Sequence, residues 1–197
     1  MLYSIVKAVL QFILWPLRLK SEGWKNIPSH GPVIIASNHI SNWDPVVVAL
    51  SVKRPICFIA KAELFNNVIL GNLFKHLNAF PVKRGTADRQ AIRHALEILE
   101  QGKILGIFPE GQRHKSDIES KAHSGIAMLA LKSQAPIVPV ACLGTDRNIP
   151  WGWLSPLVVR VGKPIYLEEY REQKINSATM EKVSLEIMKE INSLLSK

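Results

Sequence analysis

From residue 33 onward, short apolar runs alternate with stretches in which apolar residues recur every three to four positions. The runs at 33–37, 55–60, 79–82, 104–108, 136–142 and 157–161 predict strands. Several are apolar on both faces, as strands in the middle of a covered sheet are. Between them, 87–101 predicts a helix with Thr86 as N-cap, Ile92, Ala95, Leu96 and Leu99 on one face, and Gly102 as terminator. Further helices are predicted at 125–133 and at 178–195, where Met180, Val183, Ile187, Ile191 and Leu194 fall at helical spacing. Strands alternating with helices imply an α/β fold, a single domain with a largely parallel central sheet flanked by helices. No repeat, low-complexity tract or domain linker interrupts it.

The first 17 residues follow a different pattern. Their polar positions are Ser4, Lys7 and Gln11, and with Arg18 these fall within about 60° of a helical wheel. The rest of the circumference is apolar, from Leu2 and Tyr3 to Trp15 and Leu17. A helix packed on one globular core needs an apolar stripe little wider than ~100°. Two placements fit this segment, a buried N-terminal helix or a helix lying in a membrane interface, and the nearly complete apolar circumference favours the second. Trp15, Arg18 and Lys20 stand at its far end, where an interface anchor sits, and basic residues there add roughly 1 kcal/mol each on anionic lipid. Residues 1–22 are thus expected to form an amphipathic membrane-interface helix and 23–197 the folded domain. A cleaved signal peptide is disfavoured, because a charged leading segment and a small-residue cleavage site are both missing. No uninterrupted apolar run reaches about 18 residues, which excludes a multi-span membrane protein.

Composition changes this picture in two ways. Hydrophobic residues make up 47% and charged residues 21%, which excludes a disordered or collagen-like chain, and the mean hydropathy of +0.09 is high for a freely soluble protein. The net charge is +9, and it is loaded on one side: 15 basic and 7 acidic residues up to Ser116, ten and nine after it. A basic half implies an anionic partner: nucleic acid, acidic lipid or a phosphorylated substrate. The two cysteines, Cys57 and Cys142, sit in apolar stretches without metal-ligand spacing and read as reduced core residues of a cytosolic compartment.

Ligands of such sheets bind beyond the C-terminal ends of the strands. The strand at 33–37 runs into Asn38-His39-Ile40-Ser41-Asn42-Trp43-Asp44-Pro45. On a helix His39 and Asp44 would point about 140° apart, but Pro45 disfavours helix at Asp44. A turn there can return the carboxylate to the imidazole, fixing its tautomer and raising its basicity. The other possibility is that Asp44 only caps a helix at 45–51. The strand at 79–82 runs into Lys83-Arg84-Gly85, two cations where a phosphate could be held or a solvated surface pair. The strand at 104–108 runs into Pro109-Glu110-Gly111-Gln112-Arg113, a loop with a carboxylate, a permissive glycine and a guanidinium, or a turn with a surface ion pair.

Taken together, His39 with Asp44, Phe80-Pro81-Val82-Lys83-Arg84, Phe108-Pro109-Glu110-Gly111 and Ile137-Val138-Pro139-Val140 resemble the four ordered blocks of the 1-acylglycerol-3-phosphate (lysophosphatidic acid) acyltransferases. Lys61-Ala62-Glu63-Leu64 is similar to a further segment of that family, and the resemblance covers roughly residues 30–145. It implies that 23–197 is an acyltransferase domain moving a fatty acyl group from acyl-CoA or acyl carrier protein to a lysophospholipid hydroxyl, giving phosphatidic acid. It further implies that His39 is general base and Asp44 its orienting partner. Arg84, with Lys83, would hold the acceptor phosphate, and Glu110, Gly111 and Arg113 would shape the acceptor site. No resident cofactor and no metal is implied, since a thioester is already activated. The enzyme would work on the cytoplasmic face of the cell membrane as a peripheral or monotopic protein.

The chain departs from the family pattern at Gln112, where Ser or Thr usually follows Pro-Glu-Gly, and His114 follows Arg113. These differences bear on which headgroup is accepted. Trp151 and Trp153 fit an extra interface contact or plain packing equally well, and His30, His76, His94 and His123 lack a carboxylate at the motif spacing. Two alternatives remain: the same fold acylating another lyso-lipid, such as a lyso-aminolipid, and a non-catalytic basic lipid-binding module. Nucleic-acid binding is disfavoured, because the aromatics are not interleaved with the basic residues.

Overall fold

Val33–Ser37 is buried at every position, so this segment needs a strand partner on each edge and a helix on each face. The computed structural model, which describes residues 2–15, 18–83, 88–109, 124–146, 156–171 and 173–197, supplies all four. In chain order the elements are α1 (Leu2–Ile13), β1 (Lys20–Glu22), β2 (Val33–Ser37), α2 (Asp44–Ser51), β3 (Ile56–Lys61), α3 (Val68–His76) and β4 (Ala79–Val82). They continue with α4 (Arg89–Glu100), β5 (Ile104–Ile107), α5 (Ser124–Ser133), β6 (Ile137–Leu143), β7 (Val158–Val161) and α6 (Ser177–Leu195). The seven strands lie in the order β1-β7-β6-β2-β5-β3-β4, with every pair parallel except β6–β7.

Alternation along β2 divides the core. Ile34 and Ala36 join Ala95 and Leu99 of α4, Ala127 of α5 and Ile187 and Ile191 of α6 on one face. Val33 and Ile35 join Val47 and Val48 of α2 and Leu14, just beyond α1, on the other. The expected α/β architecture with a largely parallel sheet is therefore observed. The six predicted strands are all present, each within a residue or two of its expected limits.

Three features were not expected. β1 is a short, half-exposed edge strand that pairs with β7, and its Lys-Ser-Glu sequence carries no apolar alternation to mark it. α3 carries apolar residues around most of its circumference and so lacks a periodic signature, although Asn67 before it is a good N-cap. Helix α4 begins at Arg89 and is capped by Asp88 in place of Thr86, which lies outside the described residues. One Asp88 oxygen accepts the Gln90 and Ala91 N–H groups while the other accepts that of Lys83, a double role that a threonine hydroxyl cannot fill.

Helix α1 ends at Ile13 and packs through a narrow stripe. Lys7 Nζ donates to the Val52 carbonyl at the end of α2, and the Ile56 N–H donates to the Tyr3 hydroxyl at 3.4 Å. Lys7, one of the four polar positions of the wheel, thus faces the protein. The opposite side of α1 is apolar and open, with Ile5, Val9, Phe12 and Ile13 exposed and Trp15 following them. No described helix is long and apolar enough to cross a membrane.

Candidate active site

The site grows out of the C-terminal end of β2. Ser37 pairs with Val140 of β6, and the next residue prolongs the pairing with its side chain. Asn38 Nδ2 donates to the Cys142 carbonyl at 3.0 Å, and the Cys142 N–H donates to Asn38 Oδ1 at 2.7 Å. The amide acts as one more peptide of the ladder, which anchors the chain just before it leaves the sheet. A tight turn follows, with the Asp44 N–H bonded to the Ser41 carbonyl at 3.2 Å, and Pro45 starts α2 at a position that needs no N–H.

Asp44 is the first residue of α2 and is fully buried, yet its carboxylate turns back toward the loop instead of capping the helix. Oδ2 accepts the Ile40 and Ser41 N–H groups at 2.7 Å each and lies 3.0 Å from His39 Nδ1. Oδ1 accepts the Thr145 hydroxyl at 2.5 Å. An oxygen already accepting two peptide N–H groups meets the imidazole as an acceptor as well, so Nδ1 carries a proton and, in the neutral tautomer, Nε2 is the free acceptor. Of the two arrangements open from sequence, the structure forms the turn that returns the carboxylate to His39.

Phe108, just past β5, stacks on the imidazole with ring centroids 4.3 Å apart, and Phe58 of β3 stacks on Phe108 at 6.0 Å. Gly106 makes room for this: a Cβ there would lie 2.4 Å from the Phe58 ring. His39 and these two aromatics line a cavity of about 650 Å³. Its other walls come from α1 (Tyr3, Val6, Leu10), α2 (Val46, Ala49) and the segment around α3 (Leu64, Phe74, Leu77). A hollow of that size and apolar lining fits a hydrocarbon chain. The imidazole thus faces a space where a bound hydroxyl could meet it.

Lys83 follows β4 and is exposed; it lines a second hollow of about 720 Å³ that it shares with Lys75, Lys103 and His94. Arg84, Glu110, Gly111 and Arg113 lie outside the described residues, as do Gln112, His114, His123, Trp151 and Trp153. Cys57 and Cys142 are free, buried thiols as expected. Burial and the nearby Asp44 charge push Cys142 up to about 12, against a smaller lowering by the Ser37 hydrogen bond, so it is no nucleophile at neutral pH. Sequence reasoning missed Thr145. Its only signal was a position two residues past a strand, and the neighbourhood of β6 and β2 that makes it matter is not local.

A histidine held by a buried aspartate just beyond a strand of a parallel sheet, opening on an apolar cavity, is an arrangement suited to acid–base chemistry beside a hydrocarbon chain. The family model described as Acyltransferase matches residues 18–143, and the chain belongs to that family. It is 30% identical over 148 residues to the 1-acyl-sn-glycerol-3-phosphate acyltransferase of Bacillus subtilis, covering 74% of this chain and 73% of that one. The protein of the same name from Streptococcus pneumoniae is 28% identical over 199 residues, covering 98% and 73%. Among solved structures, the 1-acyl-sn-glycerophosphate (LPA) acyltransferase PlsC from Thermotoga maritima superposes with a TM-score of 0.64 at 26% identity, over 91% of this chain and 73% of that one.

Proposed function

We propose that the protein transfers a fatty acyl group from a thioester donor, acyl-CoA or acyl carrier protein, to the free hydroxyl of 1-acylglycerol-3-phosphate, giving phosphatidic acid. The observation that carries this reading is His39 held by the buried Asp44 in the wall of the apolar cavity. The names of the relatives support the choice of acceptor. His39 Nε2 removes the hydroxyl proton as the oxygen attacks the thioester carbonyl. The tetrahedral intermediate collapses with cleavage of the C–S bond, and the imidazolium returns its proton to the departing thiolate. A placed imidazole contributes roughly 10²–10⁴-fold to such a step. The acyl chain lies along the cavity. On the family resemblance Arg84 holds the acceptor phosphate, with Lys83 contributing only from the neighbouring hollow that it lines, and Glu110, Gly111 and Arg113 border the acceptor.

Acceptor and product are amphiphiles that partition into membranes, so the reaction belongs at a membrane surface. The open apolar side of α1 and the lack of any carboxylate before Glu22 support the start of the expected 1–22 segment as the contact of a peripheral protein, on a leaflet we propose to be the cytoplasmic one. The segment is shorter than expected, since α1 ends at Ile13 and Lys20–Glu22 already belongs to the sheet of the catalytic domain expected at 23–197. Incubating the purified protein with labelled acyl-CoA or acyl carrier protein and a panel of lyso-lipids, with product identification by mass spectrometry, tests acceptor and donor together. His39→Ala is expected to lower turnover by at least about a hundredfold while the fold is kept. Near-normal turnover by that variant would remove the mechanism, and a product other than phosphatidic acid would reassign the acceptor.

A further inference from the structure

Helix α3 carries apolar side chains on its outside. Val68 and Ile69 are each 80% exposed, and Leu70, Leu73 and Leu64 stand open beside them. The exposure is not fraying, because Asn67 Oδ1 accepts the Ile69 and Leu70 N–H groups at 3.0 and 3.1 Å and closes the first turn. Gly71 fixes which side looks inward. A Cβ there would lie 2.8 Å from the Phe65 carbonyl oxygen, so the helix backbone rests directly on the 3₁₀ turn Ala62–Phe65. Phe74 and Leu77 then face the cavity, and the first turn of α3 points the other way.

Helix α1 is built on the same plan. Tyr3, Val6 and Leu10 line the cavity while Ile5, Val9 and Phe12 face out. Two separate elements thus wall one apolar cavity with one side and expose aliphatic residues with the other. Charge points to the kind of surface they meet. From residue 64 to residue 87 the chain has no carboxylate but holds Lys75, Lys83 and Arg84, with Glu63 just before it ion-paired to Lys61 at 3.3 Å. Before Glu22 it has none but holds Arg18 and Lys20 besides the inward-turned Lys7. The exposed tips of α3 are aliphatic, without Trp or Tyr, unlike the centre of a protein interface, and the carboxylate-free, basic stretches around both helices suit an anionic leaflet.

We propose that α3 is a second membrane contact, independent of α1, and that the two helices straddle the cavity so that lipid chains pass into it from the leaflet. This rests on the lipid acyltransferase reading above. The test is flotation of the full chain with vesicles of phosphatidylcholine plus phosphatidylglycerol, and of phosphatidylcholine alone. The double variants Val68→Ser/Ile69→Ser and Val9→Ser/Phe12→Ser should each lower the partition coefficient by about tenfold or more, with the combined variant losing about the product. Binding to anionic vesicles should exceed binding to neutral ones.

The α3 variant should also lose acylation of long-chain lysolipid in vesicles while keeping that of a short-chain acceptor dissolved below its micelle concentration. Wild-type flotation by the α3 variant would overturn the proposal. So would a wild-type dimer on size exclusion that the α3 variant dissociates, since a second copy would then be the occupant. Flotation reads the contact and acylation reads the reaction, so a wild-type protein that floats but does not acylate would sink the functional reading alone.

Discussion

Replacing Asp44 with asparagine separates the charge of the carboxylate from its shape. The two side chains have the same size, and the surrounding donors decide how the amide sits. The Ile40 and Ser41 N–H groups, 2.7 Å from Oδ2, donate to that position and so require the amide oxygen there. The NH₂ group therefore takes the place of Oδ1 beside Thr145 Oγ1, which can turn to accept. His39 Nδ1 keeps an acceptor in the same place, so the loop and the tautomer survive. What is lost is the negative charge that steadies the imidazolium once the substrate proton has arrived. Two unit charges about 4 Å apart at an effective dielectric near 20 attract by about 4 kcal/mol, which sets the upper end of the effect. Allowing for the partly open ring of His39, Asp44→Asn should lower kcat/KM by about 10²–10³-fold. Release of free thiol from acyl-CoA measures the rate, and circular dichroism with thermal unfolding checks that the fold is kept. A folded variant retaining more than about a tenth of wild-type activity would refute the view that this carboxylate acts through its charge.

Two further predictions follow from the same neighbourhood. Thr145→Val removes the hydroxyl that donates to the buried Asp44 Oδ1, so kcat should fall by about tenfold with little change in donor KM, and Thr145→Ser should restore it; a valine variant with full kcat would deny the threonine a positioning role. Cys142 remains protonated in the folded chain up to about 12, whereas in the unfolded chain it ionises near its ordinary value of 9.0, so stability is full below 9 and declines as pH rises between the two values. Urea unfolding at alkaline pH should show a loss of up to roughly 1.4 kcal/mol per pH unit that Cys142→Ala diminishes, and an equal slope in both proteins would place the loss elsewhere.

The chain's local patterns were enough to settle the fold class, the six strands with apolar runs and the long C-terminal helix, because burial on one or both faces is written into neighbouring residues. The histidine and aspartate were visible for a related reason: they lie five apart, close enough for one turn to join them, although Asp44 proves to open α2 despite the proline that follows it. Where the resemblance to a family entered, it singled out these residues from other histidines bonded to sequence neighbours, such as His76 with the Asn72 carbonyl at 2.8 Å. Thr145 stayed hidden because it reaches Asp44 across 101 positions, a separation closed only when β6 takes its place beside β2.

Strand order is the part that local sequence does not carry, since buried parallel strands of similar composition are interchangeable until they pair. Lys83 illustrates the consequence. By the strand-end rule it ranks with His39, yet β4 is the outermost strand on its side, and the lysine lines a different hollow from the imidazole. The orientation of α1 was decided in the same way. Its wheel marks a polar arc, but that arc includes Lys7, which the folded chain turns inward to the last carbonyl beyond α2. A helical wheel ranks the faces of a helix; only the surface it packs against determines which face is left for the outside.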